Sequence, residues 1–185
     1  MAAFAYANNL NLSARWETLA SPLGPLYAFC DNKALYRLQF DAPTPKPADH
    51  APQSCLTNTL QTQLDAYFQK HLRQFNIPLA PRGTPFQQRA WQVLGHIPYG
   101  HVMSYGAQAA KAQTPKAVRA IGRANAANPI VILIPCHRVV PTAFLKHHNR
   151  PNMECLDAQL LGGYGGKSQA GLARKKYLLE LEQAT

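Results

Sequence analysis

Acidic residues are scarce in this chain. Nine Asp and Glu stand against 19 Lys and Arg in 185 residues, for a net charge of +10 with histidine neutral. The deficit is confined to one half: residues 1–80 hold 6 Lys and Arg against 5 Asp and Glu, and residues 81–185 hold 13 against 4. General solubility predicts no such asymmetry, whereas a polyanion-binding surface does, with DNA or RNA a better fit than a membrane. No apolar stretch approaches the roughly 18 residues that span a bilayer, so no membrane partner is expected. The start, Met1-Ala2-Ala3-Phe4-Ala5, lacks the basic opening of a secretory signal. Cysteine is sparse too. Cys30, Cys55, Cys136 and Cys155 show neither CxxC spacing nor a tight Cys/His cluster, so no metal is expected. Reduced thiols then imply a cytoplasmic setting, or a nuclear one in a eukaryote. Repeats and low-complexity tracts are absent. The length suits one or two small domains.

Residues 14–40 read as short strands, with turns at Ser21-Pro22-Leu23-Gly24 and Asp31-Asn32-Lys33. Four prolines make 41–52 an extended loop. Leu60, Leu64, Tyr67, Phe68 and Leu72 recur at helical spacing, predicting a helix over about 56–73. This small α/β unit ends near Pro81 and by itself indicates no chemistry. A second unit opens with Thr84-Pro85-Phe86-Gln87, a capping box with proline in the first turn. Phe86 and Trp91 are read as core rather than as a base-stacking platform. Ser104 caps a short helix over about 105–112. Thr114 and Pro115 start another that runs to about Ala126, and the pair forms a helix-turn-helix candidate. Lys116, Arg119 and Arg123 share one face of the second helix, whose other positions, among them Ala117 and Ala120, are mostly small. Such a face is either simply solvated or fitted to a nucleic-acid groove, and the basic half favours the groove.

Ile130-Val131-Ile132-Leu133-Ile134 lies between prolines and suits a fully buried strand, with Pro135-Cys136-His137-Arg138 at its lip. Taken alone, the Cys-His pair reads either as a buried inert thiol beside a solvated pair or as a nucleophile, since basic neighbours favour the thiolate.

Further residues decide between these. Gly83-Thr84-Pro85-Phe86, Ile97-Pro98-Tyr99-Gly100, Ser104-Tyr105-Gly106, Pro115-Lys116-Ala117-Val118-Arg119, Asn128-Pro129, Pro135-Cys136-His137-Arg138-Val139-Val140 and Arg174-Lys175 with Leu178-Leu179 closely resemble the O6-alkylguanine-DNA alkyltransferase family. Ser21-Pro22-Leu23-Gly24 and Leu64-Asp65-Ala66-Tyr67-Phe68 resemble its N-terminal domain. The resemblance implies an α/β protein: a small ribonuclease-H-like domain with an antiparallel sheet over 1–81, and a mainly helical domain with a helix-turn-helix over 82–185. It implies a monomer that needs no cofactor and repairs duplex DNA from the minor groove. The alkyl group of O6-alkylguanine, and of O4-alkylthymine, would pass irreversibly to Cys136. A non-catalytic sensor of alkylated bases and a helix-turn-helix regulator are the competing readings.

The same resemblance implies the roles. Arg119 takes the place of the extruded base. Lys116, Arg123, Ala117, Ala120 and Ser104 contact DNA. Tyr105 gives a proton to the departing guanine, Cys136 attacks, and His137 draws off the thiol proton through a water, oriented by Glu182. Glu180 would face elsewhere around the helix. Asn128 ties the helix-turn-helix to the cysteine loop, while Val139, Val140, Tyr164 and Gly165 form the base pocket. Arg138 is read as pairing structurally with the C-terminal helix. Cys30 resembles a zinc ligand of some relatives, but Tyr36 stands where a histidine would be expected. The chain departs from the family by inserting Pro141–Leu161, which contains His147-His148 and is read as a solvated peripheral loop.

Overall fold

The computed structural model describes residues 14–45, 54–147, 164 and 168–183. The chain divides into two compact units, residues 1–82 with 129–133, and residues 83–128 with 134–185.

In the first unit, β1 (Arg15–Leu19), β2 (Leu26–Cys30) and β3 (Leu35–Gln39) form an antiparallel meander in that order. The predicted turns fall between these strands. Helix α1 (Cys55–Phe68) packs on β1 and β2, burying Leu60, Leu64 and Tyr67 with Leu19, Leu26 and Leu38. It stops short of the expected residue 73, because Lys70 turns to φ 65°. The buried carboxylate of Glu17 accepts from the Ser54 amide and the Thr57 hydroxyl, fastening β1 to the capped start of α1. Tyr36 donates to Asp31, and burial pushes the Cys30 thiol up to about 11. Among the described residues no group of three or more His, Cys, Asp or Glu could hold a metal ion.

The run 130–134 is not a strand. Ile130 alone bridges to Leu38, through Leu38 N to Pro129 O and Val131 N to Leu38 O. The Leu133 amide then returns to Val131 O at 2.8 Å, a γ-turn with Ile132 at φ 70°. A branched side chain at positive φ is unusual and persists where surroundings over-determine it. The run is apolar because it is a buried turn, and hydropathy alone does not separate the two.

The second unit begins with α2 (Pro85–Gly95), which has the predicted capping box at Thr84 and Gln87. Strand β4 (Met103–Ser104) runs into α3 (Tyr105–Lys111), capped by Ser104, and α4 (Val118–Ala126) follows. The expected start of α4 at Thr114-Pro115 is a turn instead: Gln113 sits at φ 60°, Ala117 N bonds Thr114 O, and no side chain caps the helix. Helices α2, α3 and α4 pack through Ala90, Ala109, Ala112, Ile121 and Ala124, and the Trp91 indole donates to Ala124 O at 2.8 Å. Trp91 is core. A single 3-10 turn covers Cys136–Arg138, and β5 (Val139–Val140) pairs in parallel with β4. Helix α6 (Gln169–Gln183) ends the described chain.

The start of the insertion departs from the expected loop. Thr142–His147 is a helix, α5, with Phe144 packed on Val140 and Leu179. Phe144 supplies the apolar anchor that the flanking prolines obscure. Residues 148–161, including His148, lie outside the described residues. Phe144→Ala is expected to destabilise the protein by about 3–5 kcal/mol, read as a shift of the urea unfolding midpoint. An unchanged midpoint would mean that α5 is peripheral.

Candidate nucleophile site and nucleic-acid interface

The Cys136 segment is shaped by its backbone. Pro135 (φ −82°, ψ 65°) lets the Cys136 amide bond Ile134 O at 2.8 Å, a tight turn that feeds the 3-10 turn. Extended residues would point Cys136 and His137 to opposite sides; here the chain coils instead. Cys136 and His137 are both buried.

His137 Nε2 meets Glu182 Oε1 at 2.9 Å. Arg138 donates to the same carboxylate from Nε and Nη2, each at 2.9 Å, and from Nη1 to Ile97 O. The Gly100 amide donates a further bond at 3.3 Å. Burial pushes the Glu182 carboxyl up, but the hydrogen bonds of His137 and Arg138 and the Arg138 charge outweigh it and hold the group well below the usual carboxylate range. An ionised carboxylate accepts, so Nε2 carries the imidazole proton. Burial drives His137 down, offset by Glu182 and reinforced by the Arg138 and Lys175 charges, so the ring is neutral. Its Nδ1, buried and without a hydrogen-bond partner among the described residues, is therefore an available base.

The thiol has its own partners. Asn128, just beyond α4, donates from Nδ2 to Cys136 Sγ at 3.1 Å and to Ile134 O at 2.7 Å. Burial raises the Cys136 value, against the Asn128 bond and the Lys175 charge, which lower it. The sulfur holds its proton at rest with two groups ready to stabilise the anion. Tyr105, the first residue of α3, is pushed up to about 12, by burial first and then by Cys136, so it stays protonated at neutral pH and can donate. Val139 and Val140 are buried in β5. The buried Tyr164 ring stands edge-on to His137 at 6.3 Å. Gly171 in α6 lies so close to the Tyr164 carbonyl that a Cβ would collide with it. Gly165 lies outside the described residues.

Glu182 faces the site while Glu180 pairs with Lys176 in solvent at 3.7 Å. Lys175 was given no role by the sequence reading. Its buried ammonium donates to Val139 O at 2.7 Å and stands 5.9 Å from the Tyr105 ring centroid. Burial lowers it to about 8, with Cys136 acting in the opposite direction. The signal was available: Gly171, Lys175, Leu178, Leu179 and Glu182 recur at core-facing spacing, so a lysine and a glutamate sit where apolar residues belong.

Arg119, Ala120 and Arg123 are exposed on α4 and Ala117 is half-buried at its start. Lys116 is exposed in the turn before α4 rather than on the helix. Ser104 is occupied as the α3 cap, accepting from Ala107 N. Val118, 39 % exposed beside Arg119, is the one large apolar side chain among the described residues of α4 that faces solvent to this degree.

Fold and site together define a helix-turn-helix protein with a buried cysteine and a histidine–carboxylate pair in the same unit. Sequence models of the DNA binding domain and the ribonuclease-like domain of the 6-O-methylguanine DNA methyltransferase family match residues 85–184 and 14–81. The chain belongs to that family. It is 41 % identical over 169 residues to the methylated-DNA–protein-cysteine methyltransferase of Mycobacterium leprae, covering 90 % of this chain and 91 % of the relative. It is 36 % identical over 171 residues to that of Methanosarcina mazei, with 91 % and 96 % covered. A crystal structure of Mycobacterium tuberculosis OGT in complex with DNA superposes with a TM-score of 0.73 at 38 % identity, covering 91 % and 92 % of the two chains. No helix among the described residues is long and apolar enough to cross a membrane.

Glu182→Gln should cost about 3–5 kcal/mol, because it strands a buried arginine. Since the folded-state carboxyl is depressed, its contribution is complete above the ordinary glutamate value of about 4.3 and is lost as pH falls below it. Urea titrations from pH 7 to pH 3 should show that acid-side loss in the parent and much less of it in the variant.

Proposed function

We propose that this protein repairs DNA by transferring the alkyl group of O6-alkylguanine, and of O4-alkylthymine, to Cys136, once per molecule. The observation that carries the reading is the pair Glu182–His137, which leaves a buried, unprotonated Nδ1 on the residue that follows Cys136, whose thiol is held by Asn128. The basic helix-turn-helix in the same unit supplies the duplex. Both proposed domains, 1–81 and 82–185, act in one monomer, in the cytoplasm or, in a eukaryote, the nucleus.

The steps follow from the residues. A stacked base is out of reach, so it leaves the helix at a cost of a few kcal/mol, least for a weakly paired lesion. Arg119 enters from the minor groove and fills the space, and Lys116 and Arg123 engage phosphates. Sulfur then attacks the alkyl carbon. The thiol proton passes to His137 Nδ1 through a bridging water, and the C–O bond breaks. Tyr105 gives its proton to the guanine ring nitrogen, so that guanine leaves neutral. Glu182 and Arg138 hold the charged imidazole in place. The thioether offers no bond that water can hydrolyse, so the thiol is not regenerated. A sensor has no use for an acceptor thiol, and a regulator has no use for the relay behind it.

After incubation with DNA carrying O6-methylguanine, intact-protein mass spectrometry should show one added methyl per molecule, on the peptide containing Cys136. Cys136→Ala should bind DNA and gain nothing. Several turnovers per molecule, or methylation at another cysteine, would overturn the mechanism. Arg119→Ala should slow repair of duplex DNA by about 10²-fold while reaction with the free modified base changes little, since only the stacked base needs extrusion. Equal losses on both substrates would remove Arg119 from that role.

A further inference from the structure

The proposed proton donor and the proposed acceptor belong to different elements. Tyr105 opens α3, whereas Asn128, which holds the Cys136 sulfur, follows the end of α4. The way α3 lies on α4 therefore fixes the spacing of the phenol and the thiol. Most of the contact between these helices is alanine: Ala109 and Ala112 meet Ile121 and Ala124, with Ala90 of α2 behind them. Methyl-to-methyl packing is non-directional and offers little resistance to sliding.

Inside that apolar contact sits one polar pair. Gln108 is fully buried and Asn125 nearly so. Gln108 Nε2 donates to Asn125 Oδ1 at 2.9 Å, and Asn125 Nδ2 donates to Gln108 Oε1 at 2.7 Å. Gln108 Nε2 donates again to Ala90 O at 3.1 Å, which adds α2 to the lock. A reciprocal amide pair of this kind exists in one register and one orientation of each amide. A slide of α3 along α4 breaks both bonds and leaves two buried amides unmet, where a slide over alanines alone would cost little. Three residues after Asn125, the Asn128 amide bonds Asn125 O at 3.2 Å, so the lock leads directly to the residue on the sulfur.

We propose that Gln108 and Asn125 are positioning residues for the alkyl transfer: their paired amides set the register of α3 on α4, and through it the reach from the Tyr105 hydroxyl to the Cys136 site. This rests on the function proposed above. Neither side chain touches the reacting atoms. Their effect acts through Tyr105 alone, which separates positioning from simple stabilisation.

The test replaces both amides together, as Gln108→Leu with Asn125→Leu, because an apolar pair leaves no buried group unmet. Three rates are measured: methyl transfer from duplex DNA carrying O6-methylguanine, alkylation of Cys136 by iodoacetamide, which needs no donated proton, and methyl transfer in a Tyr105→Phe background. The double variant should keep its melting temperature and its iodoacetamide rate, yet lose about 10- to 100-fold in methyl transfer. In the Tyr105→Phe background the same pair of substitutions should cost nothing further, since the group being positioned is gone. Parental transfer by the folded double variant, or a loss that multiplies with that of Tyr105→Phe, would overturn the proposal. If the apolar pair does not fold, the exchanged pair Gln108→Asn with Asn125→Gln keeps both amides but shifts their meeting point. It should show the same selective loss, and parental transfer there would overturn the proposal equally. Failure of the parent protein to take up any methyl group would defeat the proposed function instead, a result the other rates do not imitate.

Discussion

The Glu182 carboxylate is the interaction on which the second unit depends. A buried, ionised carboxylate is tolerated only when its lone pairs are met, and Glu182 collects donors from four places: the imidazole of His137, two nitrogens of Arg138, and the Gly100 amide. Those donors belong to the 3-10 turn after Pro135 and to the turn after α2, so one side chain on α6 draws three segments together. Arg138 adds Ile97 O, which fixes the same turn a second time. Removing either Arg138 or Glu182 leaves the other's charge uncompensated in the interior, so the ion pair stands or fails together. Holding the chain together and fixing the imidazole tautomer are the same set of bonds.

At rest the Cys136 thiol and the His137 imidazole are both uncharged. Burial holds the proton on Cys136 and keeps His137 neutral, although Asn128 and Lys175 favour the thiolate and Glu182 favours the imidazolium. Both charged forms are stabilised in advance, and neither predominates at rest. In the transfer proposed above, passage of the proton from sulfur to Nδ1 would create two charges that each already have a partner: the ammonium of Lys175 for the sulfur and the carboxylate of Glu182 for the ring. Such preorganisation lowers the barrier because no group has to reorient when the charge develops.

The helix-turn-helix and the meander are legible in the sequence because each rests on local signals: a capping box, turn residues and helical spacing. The Cys136 tetrad and Glu182 stand out only through the family resemblance, with helix geometry turning Glu180 to another face. The failures share a cause. Ile130–Ile134 reads as a strand because apolar runs carry no record of a γ-turn, and only the hydrogen bond from Leu133 to Val131 distinguishes the two. Phe144 was hidden by the prolines around it, since the residues that bury it, Val140 and Leu179, are distant in sequence or belong to another element. Lys175, Gln108 and Asn125 look like surface residues by type, and their burial follows from tertiary partners that no local pattern names.

Small residues serve both faces of α4. Inward, Ala124 lets the Trp91 ring approach the helix backbone closely enough to bond its carbonyl, which larger side chains would prevent. Outward, Ala120 and Ala126 flank Arg119 and Arg123 and leave that face of the helix narrow. A helix trimmed on both sides has little side-chain bulk with which to fix its own position. It therefore depends on directional contacts, the indole to Ala124 O and the amides of Gln108 and Asn125, for a placement that packing alone leaves loose. Under the function proposed above, a helix that carries Arg119 into a groove needs such contacts more than an ordinary core helix does, because an error in its position is passed on to the DNA.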